Sequence, residues 1–130
     1  FDLIRFAEFT GITPEEKIVK DAYKVLAKER RFTESYKNLK KISGGIEPDK
    51  DAVQCAYESV VDNGELAWKY TFKYIKKLTG INPSEPLVQK AYMKCIKEGE
   101  FEDFEELHKT FKVEPSDAVK KSLEKYLVAK

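Results

Sequence analysis

The sequence predicts an all-α protein, a right-handed α-solenoid of about four antiparallel helix-hairpin repeats, or about eight helices. Three observations carry that reading. A turn ending in proline recurs as Gly11-Ile12-Thr13-Pro14, Gly45-Ile46-Glu47-Pro48, Gly80-Ile81-Asn82-Pro83 and Lys112-Val113-Glu114-Pro115, with the prolines 34, 35 and 32 residues apart. After each proline, apolar residues come in adjacent pairs every four positions, and before each turn they fall on every third. Both patterns draw a stripe along a helix of 3.6 residues per turn, whereas a strand's period of two would scatter them over both faces.

The elements follow in order. The helices before the turns carry the stripes Leu3, Phe6, Phe9; Tyr36, Leu39, Ile42; Phe72, Ile75, Leu78; and Phe104, Leu107, Thr110, with Phe32 and Trp68 extending two of them. Gly11, Gly44 and Gly80 then offer the left-handed conformation that ends a helix. Lys112 replaces that glycine in the fourth copy, so a looser turn is expected there, with Phe111 filling the gap. Proline is favoured at the first helical position, and Thr13 with Glu16 and Asn82 with Glu85 have capping-box spacing. Pro86 falls within a first turn, where a missing N–H matters least.

The helices after the prolines carry Ile18-Val19, Ala22-Tyr23, Leu26-Ala27; Ala52-Val53, Ala56-Tyr57, Val60-Val61; Leu87-Val88, Ala91-Tyr92, Cys95-Ile96; and Ala118-Val119, Ser122-Leu123, Tyr126-Leu127. Tyr23, Tyr57 and Tyr92 recur beside a small alanine, which lets a neighbouring helix approach while the ring fills the adjoining space. Arg30-Arg31-Phe32, Asn63-Gly64-Glu65 and Glu98-Gly99-Glu100 read as short turns between units. The expected organisation is one repeat domain over 1–130, with repeats of approximately 1–31, 32–65, 66–100 and 101–130. The chain begins at Phe1 without a methionine and ends where another repeat would start, so it reads as a fragment of a longer protein.

Composition narrows the function classes. With 24 Lys plus Arg against 23 Asp plus Glu, the chain is not a wholesale polyanion binder. Its longest uncharged runs are far short of the ~20 residues a membrane span needs, and no signal-peptide pattern opens it. No membrane association is expected. Cys55 and Cys95 match no metal-ligand spacing and read as buried small hydrophobes, which points weakly to a reducing, cytoplasmic setting.

The 32–35-residue helix-turn-helix unit resembles the tetratricopeptide and pentatricopeptide class of repeats. The spacing from Pro48 to Gly64 and from Pro83 to Gly99 is similar to the pentatricopeptide pattern, and that resemblance implies an RNA-reading solenoid. The family carries a short polar base-reading residue six places after the proline. Those places hold Lys20, Gln54 and Gln89 here, so no base code carries over. The tetratricopeptide alanines after the hairpin glycine are also missing.

Site chemistry is sparse. His108 is the lone histidine, too few for a Ser-His-Asp, Cys-His or multi-histidine arrangement, and it reads as a solvated helix residue. Glu100, Glu102, Asp103, Glu105 and Glu106 surround a helix start whose dipole favours them. No glycine-rich phosphate loop is present. The expectation is a non-enzyme with no catalytic residues, no cofactor, no metal and no small-molecule substrate.

Charge patterning is the feature left to carry function. Lys37, Lys40 and Lys41, then Lys73, Lys76 and Lys77, then Lys109 recur at matching places on the helices before the turns, and stacked units would set them side by side as a ladder. Asp49, Asp51, Glu58, Asp62 and Glu65 make the second unit's other helix acidic. Tyr70 and Tyr74 fall off the stripe, beside the lysines. The residues singled out for partner binding are therefore Lys37, Lys40, Lys41, Lys73, Lys76, Lys77, Tyr70 and Tyr74. A scaffold that binds a protein or peptide partner is the first expectation, and RNA or single-stranded nucleic-acid binding through the ladder is the alternative.

Overall fold

Among residues 2–64 and 67–129, which the computed structural model describes, the chain forms eight α-helices and no strand. They are α1 Asp2–Thr10, α2 Glu16–Lys28, α3 Phe32–Ile42, α4 Lys50–Asn63, α5 Trp68–Thr79, α6 Glu85–Lys97, α7 Phe101–Phe111 and α8 Asp117–Ala129. Glu65, assigned above to a boundary turn and an acidic face, lies outside the described residues.

The prolines stand two residues ahead of the first helical position, the place the sequence predicts for them. Glu15, Asp49 and Ser84 are the N-caps, each extended with φ near −65° and ψ of 150–156°, so Pro14, Pro48 and Pro83 precede the cap. Thr13 and Asn82 thus lie too early to cap, and no side-chain cap bond forms at those three starts. The first helical bonds close onto the N-cap carbonyls, Val19 N–H to Glu15, Val53 to Asp49 and Val88 to Ser84. Carboxylates at Glu15 and Asp49 still suit the positive end of the helix. Ser116 differs, its hydroxyl accepting from Val119 N–H at 3.3 Å to cap α8.

The chain divides into two compact units, residues 1–81 and 82–130. In the first, α1, α3 and α5 form one layer and α2 and α4 the other, with α2 against α3 and α4 against α5. In the second, α6 packs on α7 and α8. Within the units, α2 meets α3, α4 meets α5 and α6 meets α7 more closely than α1 meets α2 or α3 meets α4.

The first core is built on Val19, Tyr23, Leu26, Leu39, Val53, Tyr57, Phe72 and Ile75, and the second on Val88, Tyr92, Leu107 and Val119, all essentially without solvent contact. Apolar burial at this density supplies the main stabilisation. In α1 the buried residues are Ile4 and Ala7, not Phe6 and Phe9 of the expected stripe. Phe6 and Phe9 lie on a face of α1 that is exposed.

Two further expectations change. Lys112 does not loosen its turn: it adopts the left-handed conformation at φ 55°, and its N–H reaches His108 carbonyl at 2.8 Å, as Gly80 N–H reaches Lys76 at 2.7 Å. Phe111 is buried beside it. Cys95 is buried but Cys55 is only half-buried, and both are free thiols.

Candidate interaction site

The packing of helices onto turns is pinned by one repeated bond. Tyr23, Tyr57 and Tyr92 donate their hydroxyls to the carbonyls of Ile46, Ile81 and Val113 at 2.7, 2.6 and 2.6 Å. Each acceptor stands two residues before a proline. Each ring also packs on an aromatic of the following helix: Tyr23 on Phe32, Tyr57 on Phe72 at 4.9 Å and Tyr92 on Phe104 at 4.8 Å. Burial dominates in raising the phenols above their usual 10, with Tyr92 reaching about 12.

Because α3 and α5 run side by side, part of the lysine ladder converges. Lys37, Lys40 and Lys41 from α3 and Lys77 from α5, with Tyr36, Gly45, Tyr74 and Leu78, line an open basin of about 610 Å³. Lys37, Lys41 and Lys77 make no ion pair among the described residues. Lys40 is held differently. Its Nζ lies 2.6 Å from Glu47 Oε1 and 5.9 Å from the centre of the Tyr36 ring, while Tyr36 donates to Glu47 Oε2 at 2.9 Å. Burial, then the bond to Glu47, pushes the Tyr36 phenol up to about 12.

The other singled-out residues lie elsewhere. Lys73 and Lys76 are half-buried on α5 and do not line the basin, and Lys109 belongs to the second unit. Tyr70 is 69% exposed and stacks on Tyr74, ring centres 6.2 Å apart and 17° from parallel. Burial against a neighbouring hairpin therefore does not account for Tyr70. His108 Nε2 sits 3.3 Å from Glu114 Oε1, partly exposed. The acidic residues Glu100, Glu102 and Asp103 frame only a shallow surface cleft at the start of α7, and no group of three or more candidate metal ligands occurs among the described residues.

Six places after the proline, the structure puts residues to a use the sequence did not show. Lys20 pairs with Asp49, the N-cap of α4, at 3.0 Å and with Glu16 at 3.4 Å. Its ammonium is raised, chiefly by the hydrogen bond to Asp49. Gln89 donates through Nε2 to Glu114 carbonyl at 2.7 Å and accepts Ser116 N–H on Oε1 at 2.9 Å. Both side chains thus tie down the start of the helix after next. Their shared register was the available sign, but their partners lie 25 to 29 residues on, beyond any local pattern.

No protein-family profile, no curated protein and no solved structure matches this chain. No helix among the described residues is long and apolar enough to cross a membrane.

Proposed function

We propose that the protein is a non-catalytic α-solenoid interaction module whose α3–α5 basin takes an acidic segment of a protein or peptide partner. The observation that carries this is the convergence of Lys37, Lys41 and Lys77 around Tyr36 and Tyr74. Ammonium groups on flexible stems attract carboxylates as point charges without demanding a fixed geometry. The half-buried ring of Tyr74 gives the aliphatic parts of a peptide something to cover. The recurring tyrosine-to-turn bond supports the solenoid reading, since the same joint is made three times.

A nucleic-acid reading rests on a separate observation, the exposed Tyr70–Tyr74 stack, which offers a ring face to a base. One feature favours the peptide: Lys20 and Gln89, at places where the pentatricopeptide resemblance would put base readers, are engaged with the protein itself.

Titrating the protein with fluorescent deca-glutamate and with a 15-nucleotide oligouridylate, at low and at moderate salt, tests the proposal. Saturable deca-glutamate binding that weakens with salt and is lost in the Lys37→Glu/Lys41→Glu/Lys77→Glu variant is expected. Binding unchanged in that variant would remove the basin as the site, and tighter oligouridylate binding would favour the nucleic-acid reading.

A further inference from the structure

The first proline turn is built like the third, but among the described residues no tyrosine hydroxyl donates to it. Gly11 and Gly80 share φ 71°, Ile12 N–H and Ile81 N–H each reach a threonine Oγ1 at 3.2 Å, and Thr10 and Thr79 hydroxyls donate back to Phe6 and Ile75 carbonyls at 2.9 and 2.8 Å. At the third turn this geometry presents the Ile81 carbonyl to Tyr57, and at the second the Ile46 carbonyl meets Tyr23. Ile12 stands at the same place, exposed.

The side chains around it tell the same story. Phe6 and Ile18 occupy the places that Leu39 and Ala52 hold around the second turn. Leu39 and Ala52 have no solvent contact, because α2 packs on α3 and α4, whereas Phe6 is 58% and Ile18 48% exposed. Phe9, at the end of α1, is 91% exposed. An apolar edge of this kind, with the exposed Ile12 in its middle, has the shape of a joint with one half missing.

We infer that the edge formed by Phe6, Phe9, Ile12 and Ile18 is a docking site for an amphipathic helix of a partner polypeptide, carrying apolar pairs every four residues and a tyrosine whose hydroxyl takes the Ile12 carbonyl. The chemistry of the occupant is read from α2 and α4, which make this joint inside the first unit. A second copy of this chain fits poorly. Its helix α8 has Lys120 and Glu124 five and nine residues after the proline, where α2, α4 and α6 have valine and tyrosine. This inference concerns a different surface from the basin and does not depend on it.

The probe is a synthetic peptide of residues 48–64, which contains α4, in linear form and with a hydrocarbon staple on its polar face to hold it helical. Amide shifts of the intact protein are followed during titration. Saturable binding with shifts at Ile12, Thr13 and Ile18 is expected. A Tyr57→Phe peptide should bind roughly five-fold more weakly, the effect of one lost hydrogen bond. Phe9→Glu and, separately, Ile12→Asp in the protein should weaken binding by at least about ten-fold, since each puts a charge into the contact, and circular dichroism should show both variants folded. The inference is overturned by a stapled peptide that fails to saturate, or by binding undiminished in both variants. Self-association of the free protein that Phe9→Glu abolishes would overturn it as well, by making a second copy the occupant.

Discussion

The hydroxyl of Tyr92 donates to the carbonyl oxygen of Val113 across 2.6 Å, joining the middle of α6 to the turn that precedes α8. Tyr57 with Ile81 and Tyr23 with Ile46 stand in the same relation. The turn residue two before each of these prolines thus has its carbonyl occupied by a tyrosine from the preceding even-numbered helix. A bent segment without helical bonds leaves carbonyls to be satisfied, and a buried phenol needs an acceptor. Each group answers the other's need.

Tyr57→Phe isolates that bond, because the ring stays and the donor goes. Its loss leaves the Ile81 carbonyl without the phenol, and a destabilisation of about 1–2 kcal/mol is expected. Tyr57→Ala also removes the packing on Phe72 and should lower stability by about 3–5 kcal/mol. Urea unfolding followed by circular dichroism measures both, and equal losses in the two variants would show that the hydrogen bond, not the ring, dominates.

Alkaline pH should loosen the same joints. Burial holds Tyr23, Tyr57 and Tyr92 above their usual 10, and burial with the Glu47 bond holds Tyr36 at about 12. Above pH 10 the unfolded chain releases these protons while the native chain keeps them. The unfolded state then binds fewer protons, so stability is present in full below pH 10 and falls as pH rises towards 12. The slope is about 1.4 kcal/mol per pH unit for each phenol held protonated. Lys20, raised chiefly by its hydrogen bond to Asp49, acts in the same direction. Ultraviolet titration should find four of the seven tyrosines failing to ionise until the fold is lost, and ordinary titration of all seven would contradict this.

The helices and most of the buried face were legible because period and burial coincide wherever a helix is covered by the next one. Phe6 and Phe9 break that coincidence, since a stripe shows which face is apolar and not whether a neighbour covers it. The helix starts were displaced because Glu15, Asp49 and Ser84 take an extended conformation after the proline, a choice that proline's own φ does not settle. Of the lysine ladder, Lys37, Lys40, Lys41 and Lys77 converge, while Lys73 and Lys76 do not line the basin. Glu47 joins Tyr36 and Lys40, a contact set by how the 43–49 segment folds back on α3 and invisible to a local pattern.

Gln89 should matter for the second unit alone. Its amide satisfies the Glu114 carbonyl and the Ser116 N–H together, and Ser116 in turn caps α8. Gln89→Leu keeps the bulk and removes both bonds, so a loss of about 1–2 kcal/mol is expected, with amide exchange accelerating first in α8. Gln89→Glu is the finer test. A carboxylate retains the acceptor for Ser116 N–H but faces the Glu114 carbonyl without a donor, and its loss should approach that of the leucine variant. Unchanged exchange in α8 for both variants would mean that helix packing, not the glutamine, holds the segment.

The left-handed positions separate backbone strain from crowding. At Gly80, φ is 71° and an added Cβ would meet nothing within 4 Å, so Gly80→Ala should lose about 1–2 kcal/mol from conformation alone. Gly99 has the same φ, but its Cβ would stand 2.7 Å from the Tyr126 hydroxyl oxygen, whose ring packs on Phe101 at 4.7 Å. Gly99→Ala must therefore displace Tyr126 as well and should be the more damaging of the two. Lys112 runs the comparison backwards, because a lysine already sits at φ 55° with its N–H bonded to His108. Lys112→Gly should stabilise the protein by about 0.5–1 kcal/mol, the relief of strain being partly offset by the freer unfolded chain. Thermal and urea unfolding of the three variants gives the order, and a destabilised Lys112→Gly would show that the lysine side chain contributes more at this turn than its backbone strain removes.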